Sequence, residues 1–346
     1  MRGLTDLRVG VVTVRRLLCK GCGHTVTVRP EGVSRSSKSL RLHALAVLLC
    51  CLGLDYRATS AVLEAVGAPL AASTAYGYVR AAGQAARRLH DRAGASGVIA
   101  VGQDTTVFKV KGRRQIVSFI TDALSGRILR IDLVCREDAE SLKACLQKVA
   151  GPELELLVSD DADAYKPLAD ALGLEHQVCT AHVRKALMRR AGDILSQTPS
   201  AEPMRPAIAR DARQLRRALA RGRPLKPRLI EWAQQRLAHY RRAPPPRKGQ
   251  EAAAPYRMRM LLTELAENGM TLFTHRLYAD AQGELLLDGT NNVAERAIGW
   301  CGKVRYKLMR GMESRASLED FLHLNAHMRN HQIEGAQTFN LGVLVG

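Results

Sequence analysis

Val98-Ile99-Ala100-Val101-Gly102-Gln103-Asp104 is an apolar run that closes on an acid, and Leu154-Glu155-Leu156-Leu157-Val158-Ser159-Asp160 repeats the pattern. Short apolar runs bounded by turn residues read as buried strands. From the first run the strand pattern continues through 105–111, turns at Gly112-Arg113-Arg114, resumes over 115–121, turns at Ser125-Gly126 and resumes over 127–134. That is an antiparallel meander. Helical spacing follows over 138–149, then a strand at 154–159, a helix at 164–172, a short strand at 175–179 and a helix at 181–190. Three strands followed by alternating helix and strand predict an α/β fold, a mixed sheet with flanking helices. In that order the ends of the first and fourth strands lie side by side, which makes Asp104 and Asp160 neighbours.

Like-charged carboxylates packed together are costly without cations. Two magnesium ions, with Mn2+ able to substitute, suit such a site because they prefer oxygen ligands and keep waters. A pair of ions can activate an attacking oxygen and steady the leaving one during in-line displacement at a phosphodiester. Asp161 and Asp163 compete with Asp160, since either suits the cap of the following helix. Asp160 is favoured because it directly follows the apolar strand. A third acid, Glu295, stands in Thr290-Asn291-Asn292-Val293-Ala294-Glu295-Arg296. Its distance from Asn292 is also that of a capping box, so the residues alone leave its role open.

The chain carries 52 Lys+Arg against 33 Asp+Glu over 346 residues, a net charge of +19. That balance favours a polyanionic partner over a small neutral substrate. From Arg184 to Met260 there are 20 basic residues against 5 acids, so +15 of the charge lies there. The segment reads as helices at 210–220 and 227–240, followed by the breaker Ala243-Pro244-Pro245-Pro246-Arg247-Lys248-Gly249. Arg216, Arg217 and Arg221 are its candidate DNA contacts, with a solvated basic surface as the alternative. The apolar run at 44–54 is shorter than the roughly 20 residues of a spanning helix, and nothing before Arg15 resembles a signal peptide. A cytoplasmic protein with no membrane partner is the expectation. Eight scattered cysteines fit buried thiols and a metal site in a reducing compartment.

Cys19-Lys20-Gly21-Cys22-Gly23-His24 has the spacing of a zinc knuckle, with His24 as a third ligand to a structural Zn2+. A closed site needs four ligands, so two unmetallated cysteines in a hairpin turn is the competing account. Helices at 39–52, 56–66 and 73–89 suit a helix-turn-helix whose third helix would bring Thr74, Tyr76 and Arg80 to a DNA groove. Beyond Glu295, the basic residues Arg296, Lys303 and Arg305 are interleaved with Trp300 and Tyr306, so phosphate contacts and base stacking are expected there, against a basic surface with a core Trp.

With these residues in view, the chain resembles the prokaryotic DDE transposases of insertion sequences. Thr-Asn-Asn-x-Ala-Glu-Arg at 290–296 resembles the third-acid signature of the groups that carry a helical insertion before the final Glu. Val158-Ser159-Asp160 with Tyr165 resembles their second-Asp segment, and Gln177-Val178-Cys179-Thr180-Ala181-His182 their Cys-x-x-His element. The resemblance implies an RNase H-like fold and catalytic, Mg2+-binding places for Asp104, Asp160 and Glu295. Cys179, His182, Asn291 and Asn292 become structural neighbours of the site. It also implies a division into a partial zinc-ribbon-like region (1–37), a helix-turn-helix DNA-binding domain (38–93), the first part of the catalytic core (98–192), a basic all-α insertion (193–285), and the last part of the core with C-terminal helices (286–346). The expected activity is cleavage at the 3′ ends of an insertion sequence and strand transfer. Double-stranded DNA, both element ends and target, would be the partner of a homodimer or larger assembly. A structure-selective nuclease or resolvase, and a DNA-binding repressor that no longer cuts, stay open as alternatives.

Overall fold

The computed structural model describes residues 2–31, 33, 35–92, 96–220, 225–308 and 312–335. The chain forms strands β1 (Arg2–Gly3), β2 (Val11–Val12), β3 (Arg15–Leu18) and β4 (Thr25–Val28), then helices α1 (Leu40–Cys51), α2 (Tyr56–Ala65) and α3 (Ala72–Arg92). Next come β5 (Ala100–Val110), β6 (Arg113–Asp122), β7 (Ile128–Val134), α4 (Ala139–Leu146), β8 (Leu156–Ser159), α5 (Tyr165–Leu172) and β9 (Glu175–Val178). Helices α6 (Thr180–Ser196), α7 (Arg205–Ala218), α8 (Arg228–Tyr240) and α9 (Ala254–Asn268) follow. Two 3-10 turns lead to α10 (Asn292–Ile298), α11 (Val304–Leu308) and α12 (Arg315–Ile333). Hydrogen bonding joins the central strands into a five-stranded mixed sheet in the order β7-β6-β5-β8-β9. No described helix is long and apolar enough to cross a membrane.

Two compact units interleave along the chain: one holds 1–98, 105–152 and 293–346, the other 99–104 and 153–292. In the first, Lys111 (φ 47°) and Gly112 (φ 77°) both have positive φ. Such a pair makes the two-residue hairpin turn that matches strand twist, so β6 starts at Arg113 and not after the expected Gly-Arg-Arg turn. β6 and β7 are antiparallel, with Ile116 opposite Val134. Phe108, Phe119, Ile131, Ile298, Phe321 and Leu322 pack into one cluster of this unit. Each fully buried side chain of that size contributes roughly 1.5–3 kcal/mol.

The three N-terminal helices match the sequence expectation, but α3 is not a free recognition helix. It packs along α12, and the approach needs glycine: a Cβ on Gly83 would sit 2.4 Å from the Asp320 carbonyl oxygen. Arg80 donates through Nε to the buried Asp320 carboxylate. Its Nη1 also donates to the Tyr76 hydroxyl at 3.1 Å and to Ser317 at 3.3 Å. Arg80 is thus held by partners within the fold, while the Tyr76 side chain stays exposed. A buried carboxylate without a cation is costly, and Arg80 supplies the cation. Thr74 is half-buried on the first turn.

Along the α3–α12 contact, His90 Nδ1 lies 3.1 Å from His323 Nδ1, with the His327 ring 6.3 Å from that of His90. Burial holds His90 down to about 3, and His323 and His327 down to about 4. These groups stay neutral in the fold while the unfolded chain binds protons below about 6.5. Stability from them is present above that pH and is lost as pH falls towards 4. On the order of 2 kcal/mol per buried histidine should be gone at pH 5. Thermal unfolding at pH 7 and pH 5 reads this, and His90→Gln should shrink the difference by about a third.

In the second unit the start of β5 pairs in parallel with β8, which pairs in parallel with β9. Leu187, Ile208, Leu215, Ile230, Leu261 and Leu262 of α6 to α9 form its core. α7 begins at Arg205, earlier than expected, because Pro206 is tolerated in a first turn. At its centre Asp211, fully buried, accepts from the Tyr240 hydroxyl at 2.9 Å and pairs with Arg236 and Arg210, each at 3.3 Å.

Candidate active site

The site begins with strand register. β5 and β8 align Ala100 with Leu156, Val101 with Leu157 and Gly102 with Val158, and β8 and β9 align Ser159 with Val178. Continuing both registers sets Asp104, Asp160 and Cys179 across from one another at the carboxyl ends of three parallel strands. Adjacent strands lie about 4.8 Å apart. Carboxyl ends of parallel strands are where α/β sheets present ligand-binding groups. Asp104 does not end its strand. β5 runs on to Val110 because Thr105-Thr106-Val107-Phe108 suits an extended chain. The pairing of β5 with β8 stops at Gly102, and β8 itself ends at Ser159. Asp104 and Asp160 are both half-buried.

Local hydrogen bonds fix the Asp160 turn. Its Oδ1 accepts from the Ala162 amide at 3.2 Å, and the Ser159 hydroxyl donates to the Asp160 carbonyl at 2.9 Å. Ser159 Oγ also lies 2.8 Å from His176 Nε2, and burial depresses the His176 imidazole to about 4. Neither Asp161 nor Asp163 makes a side-chain cap for α5, which starts without one. Both line a separate polar hollow of about 370 Å³ with Glu264 and Asn268. The Asp161 carboxyl is pushed up by burial and by its neighbours Glu264, Asp160 and Asp163.

Asn291 spans this edge. Its Nδ2 donates to the Gln103 carbonyl at 3.0 Å, and its backbone N–H donates to Cys179 Sγ at 3.2 Å. The side chain is 2% exposed, and Oδ1 is a buried acceptor with no partner among the described residues. Cys179 is buried at the N-cap of α6, and His182 is exposed on that helix's first turn. Asn292 opens α10, and Glu295 is exposed on the same first turn, within the other unit.

Sequence reasoning missed the latch behind Asn291. Gln177 Oε1 accepts from the His275 backbone at 2.7 Å and its ring at 3.0 Å, while Gln177 Nε2 donates to the Val178 carbonyl and to the Gly289 carbonyl at 3.3 Å. Gly289 has φ +72°, and a Cβ there would meet His275 Nδ1 at 2.6 Å. A lone glycine before Thr290-Asn291-Asn292 was the one available signal. Gly289→Ala should cost roughly 1–3 kcal/mol of local strain and release Asn291. Hydrogen exchange at 289–298 reads this, with faster exchange than wild type expected.

The three expected phosphate contacts divide. Arg296 and Lys303 are exposed. Arg305 is half-buried: Nε donates to the Cys51 carbonyl at 2.6 Å, Nη1 to the Trp300 carbonyl at 2.5 Å, and the guanidinium stacks 3.8 Å from the Trp300 ring centroid. A π-helical turn, Gly299–Lys303, re-aims the chain so that this side chain points inward. Trp300 is covered by Arg305 and packed against the core, so the expected stacking face is taken. Tyr306 donates its hydroxyl to the Lys109 carbonyl. Arg216 and Arg217 are exposed on α7, and Arg221 lies outside the described residues.

Cys19 and Cys22 are exposed at the tip of the β3–β4 hairpin. The Cys19 thiol is lowered by N–H groups of Cys22 and Gly21 and by the Cys22 side chain. Among the described residues, Cys19, Cys22 and His24 do not form a set of ligand atoms within 4.8 Å of one another. The other six cysteines are also unpaired. Burial raises Cys50 to about 11 and pushes Cys51 further up.

No family model and no curated protein matches the chain. Solved structures with a likeness include the catalytic core domain of BIV integrase, 13% identical, covering 59% of this chain and 97% of that one, at a TM-score of 0.20. The HTLV-2 integrase catalytic core domain in complex with magnesium is 15% identical, covers 35% of this chain and 86% of that one, and gives 0.21. The simian T-cell lymphotropic virus intasome in complex with PP2A regulatory subunit B56 gamma is 11% identical, covers 70% and 72%, and gives 0.22. Superpositions this loose carry no argument about fold or function.

Proposed function

We propose that the chain is a DDE transposase, a metal-dependent polynucleotidyl transferase that nicks DNA at the 3′ ends of an insertion sequence and joins the freed ends to target DNA. One observation supports the reading: β5 and β8 pair in parallel up to Gly102 and Val158, two residues before Asp104 and Asp160. Asn291 ties the start of α10 to the residue before Asp104, and Glu295 is one helical turn along that helix. Glu295 enters as the third acid on the strength of its motif.

The half-buried Asp104 and Asp160 carboxylates and the orphan Asn291 Oδ1 are hard oxygens, the donor type Mg2+ takes. Bound there, the cations would sharpen the attacking oxygen and offset charge on the leaving one. The chain's own residues supply the rest. Asp104, Asp160 and Glu295 hold the charge balance, Asn291 keeps the helix start seated, and Arg296 and Lys303 grip flanking phosphates. No phosphate-cradling glycine loop is needed for this chemistry.

The basic helical region is the proposed DNA grip. Arg216→Ala with Arg217→Ala should lower the slope of log affinity against log salt by about two. An unchanged slope would return α7 to a solvated surface. The test of the function itself is incubation of the full chain with Mg2+ and duplex from the flanks of its own gene. Discrete nicks and joined products are expected. Nicks at branched DNA alone would favour a resolvase, and binding without nicks a repressor.

A further inference from the structure

We propose that His176 is a positioning residue for the Asp160 carboxylate, acting through the Ser159 hydroxyl. This role rests on the cation-binding reading of Asp160 above and extends it to a side chain that no motif marks.

β9 is the edge strand beside β8, and His176 lies opposite Leu157, two residues before Ser159. Partners across a sheet share a face, and so do residues two apart, so His176 and Ser159 point the same way. Nε2 of His176 lies 2.8 Å from Ser159 Oγ. A hydroxyl has one proton to give, and that of Ser159 goes to the Asp160 carbonyl at 2.9 Å. The bond to the imidazole is therefore donated by Nε2–H. Burial depresses this ring to about 4, and a neutral imidazole carries a single N–H, here on Nε2.

The hydrogen bonds thus run one way, from His176 to Ser159 to Asp160. Ser159 is fully buried, so without the imidazole no solvent replaces the donor, and nothing orients the hydroxyl toward the Asp160 carbonyl. That carbonyl belongs to the rigid peptide plane after Asp160. Fixing the plane restrains the turn that presents the Ala162 amide, which donates to Asp160 Oδ1 at 3.2 Å and aims the carboxylate. His176 is itself anchored, since Thr274 Oγ1 donates to its carbonyl at 2.9 Å. Groups that orient a metal ligand matter nearly as much as the ligand, and losing one typically costs about 10- to 100-fold in affinity.

The experiment titrates the full chain with Mn2+ and no DNA, following free Mn2+ by electron paramagnetic resonance. Mn2+ takes oxygen ligands, so the thiols at the β3–β4 tip do not compete. His176→Leu should weaken binding about tenfold or more. His176→Gln, which keeps an N–H donor near the place of Nε2, should stay within about threefold of wild type. Ser159→Ala should match His176→Leu, and neither change should have a further effect in an Asp160→Asn chain. Wild-type affinity in His176→Leu, a Gln variant as weak as the Leu variant, or an undiminished loss in the Asp160→Asn chain overturns the proposal. A wild type that binds no Mn2+ removes the cation reading of Asp160 and the role of His176 with it. The expected Mn2+ pattern in a chain that cuts no DNA upholds His176 and overturns the transposase reading alone.

Discussion

Asp104→Asn is expected to lower Mg2+-dependent DNA cleavage by roughly a thousandfold or more, with duplex affinity changed less than about twofold. The substitution keeps size and shape and removes one of the charges that, on the proposed reading, would hold cations at the strand ends. Glu295→Gln should behave alike, because the proposed mechanism balances the transition-state charge with all three acids and not with one. Asp161→Asn is the internal control. It neighbours Asp160 in sequence, but it lines the hollow with Glu264 and Asn268, so its loss should leave cleavage within a few-fold. Rates measured under single turnover separate these outcomes. Equal rates for Asp104→Asn and wild type would take Asp104 out of the site.

The largest stability effect should come from Asp211→Ala. Asp211 is fully buried and answers Arg236, Arg210 and the Tyr240 hydroxyl. Removing one member of a buried ion pair leaves the partner charge uncompensated and costs about 3–5 kcal/mol. The helical unit should therefore melt early in denaturant titrations followed by circular dichroism. Tyr240→Phe removes one hydrogen bond and should cost only about 1–2 kcal/mol. If Asp211→Ala were as stable as wild type within about 1 kcal/mol, the network would be peripheral to the unit's folding.

Local patterns carried the strands and most helices. The alternation around Val98 to Asp104 and the apolar run before Asp160 are strong signals, and parallel order then brings their ends together. Helix α9 escaped because its apolar positions, Met258, Leu261, Leu262 and Leu265, follow a proline-rich breaker that masks its start. Arg80 and Arg305 have partners within the fold that helical spacing does not show. A basic residue on a helix looks the same whether it meets a phosphate or an acid 240 positions away, and only tertiary packing decides. The π-helical turn that sends Arg305 inward has no pattern of its own. Interleaving of the two units was likewise invisible, since it follows from which strands pair and not from any linker.

The central claim is that Asp104, Asp160 and Glu295 together hold divalent cations. Iron-directed backbone cleavage tests it most directly: Fe2+ in place of Mg2+, with ascorbate and peroxide, cuts the chain beside bound metal. Cuts beside Asp104, Asp160 and Glu295 are expected, suppressed by excess Mg2+ and absent from the Asp104→Asn variant. Cuts confined to the hairpin at 19–24, or none that Mg2+ competes away, would contradict the account.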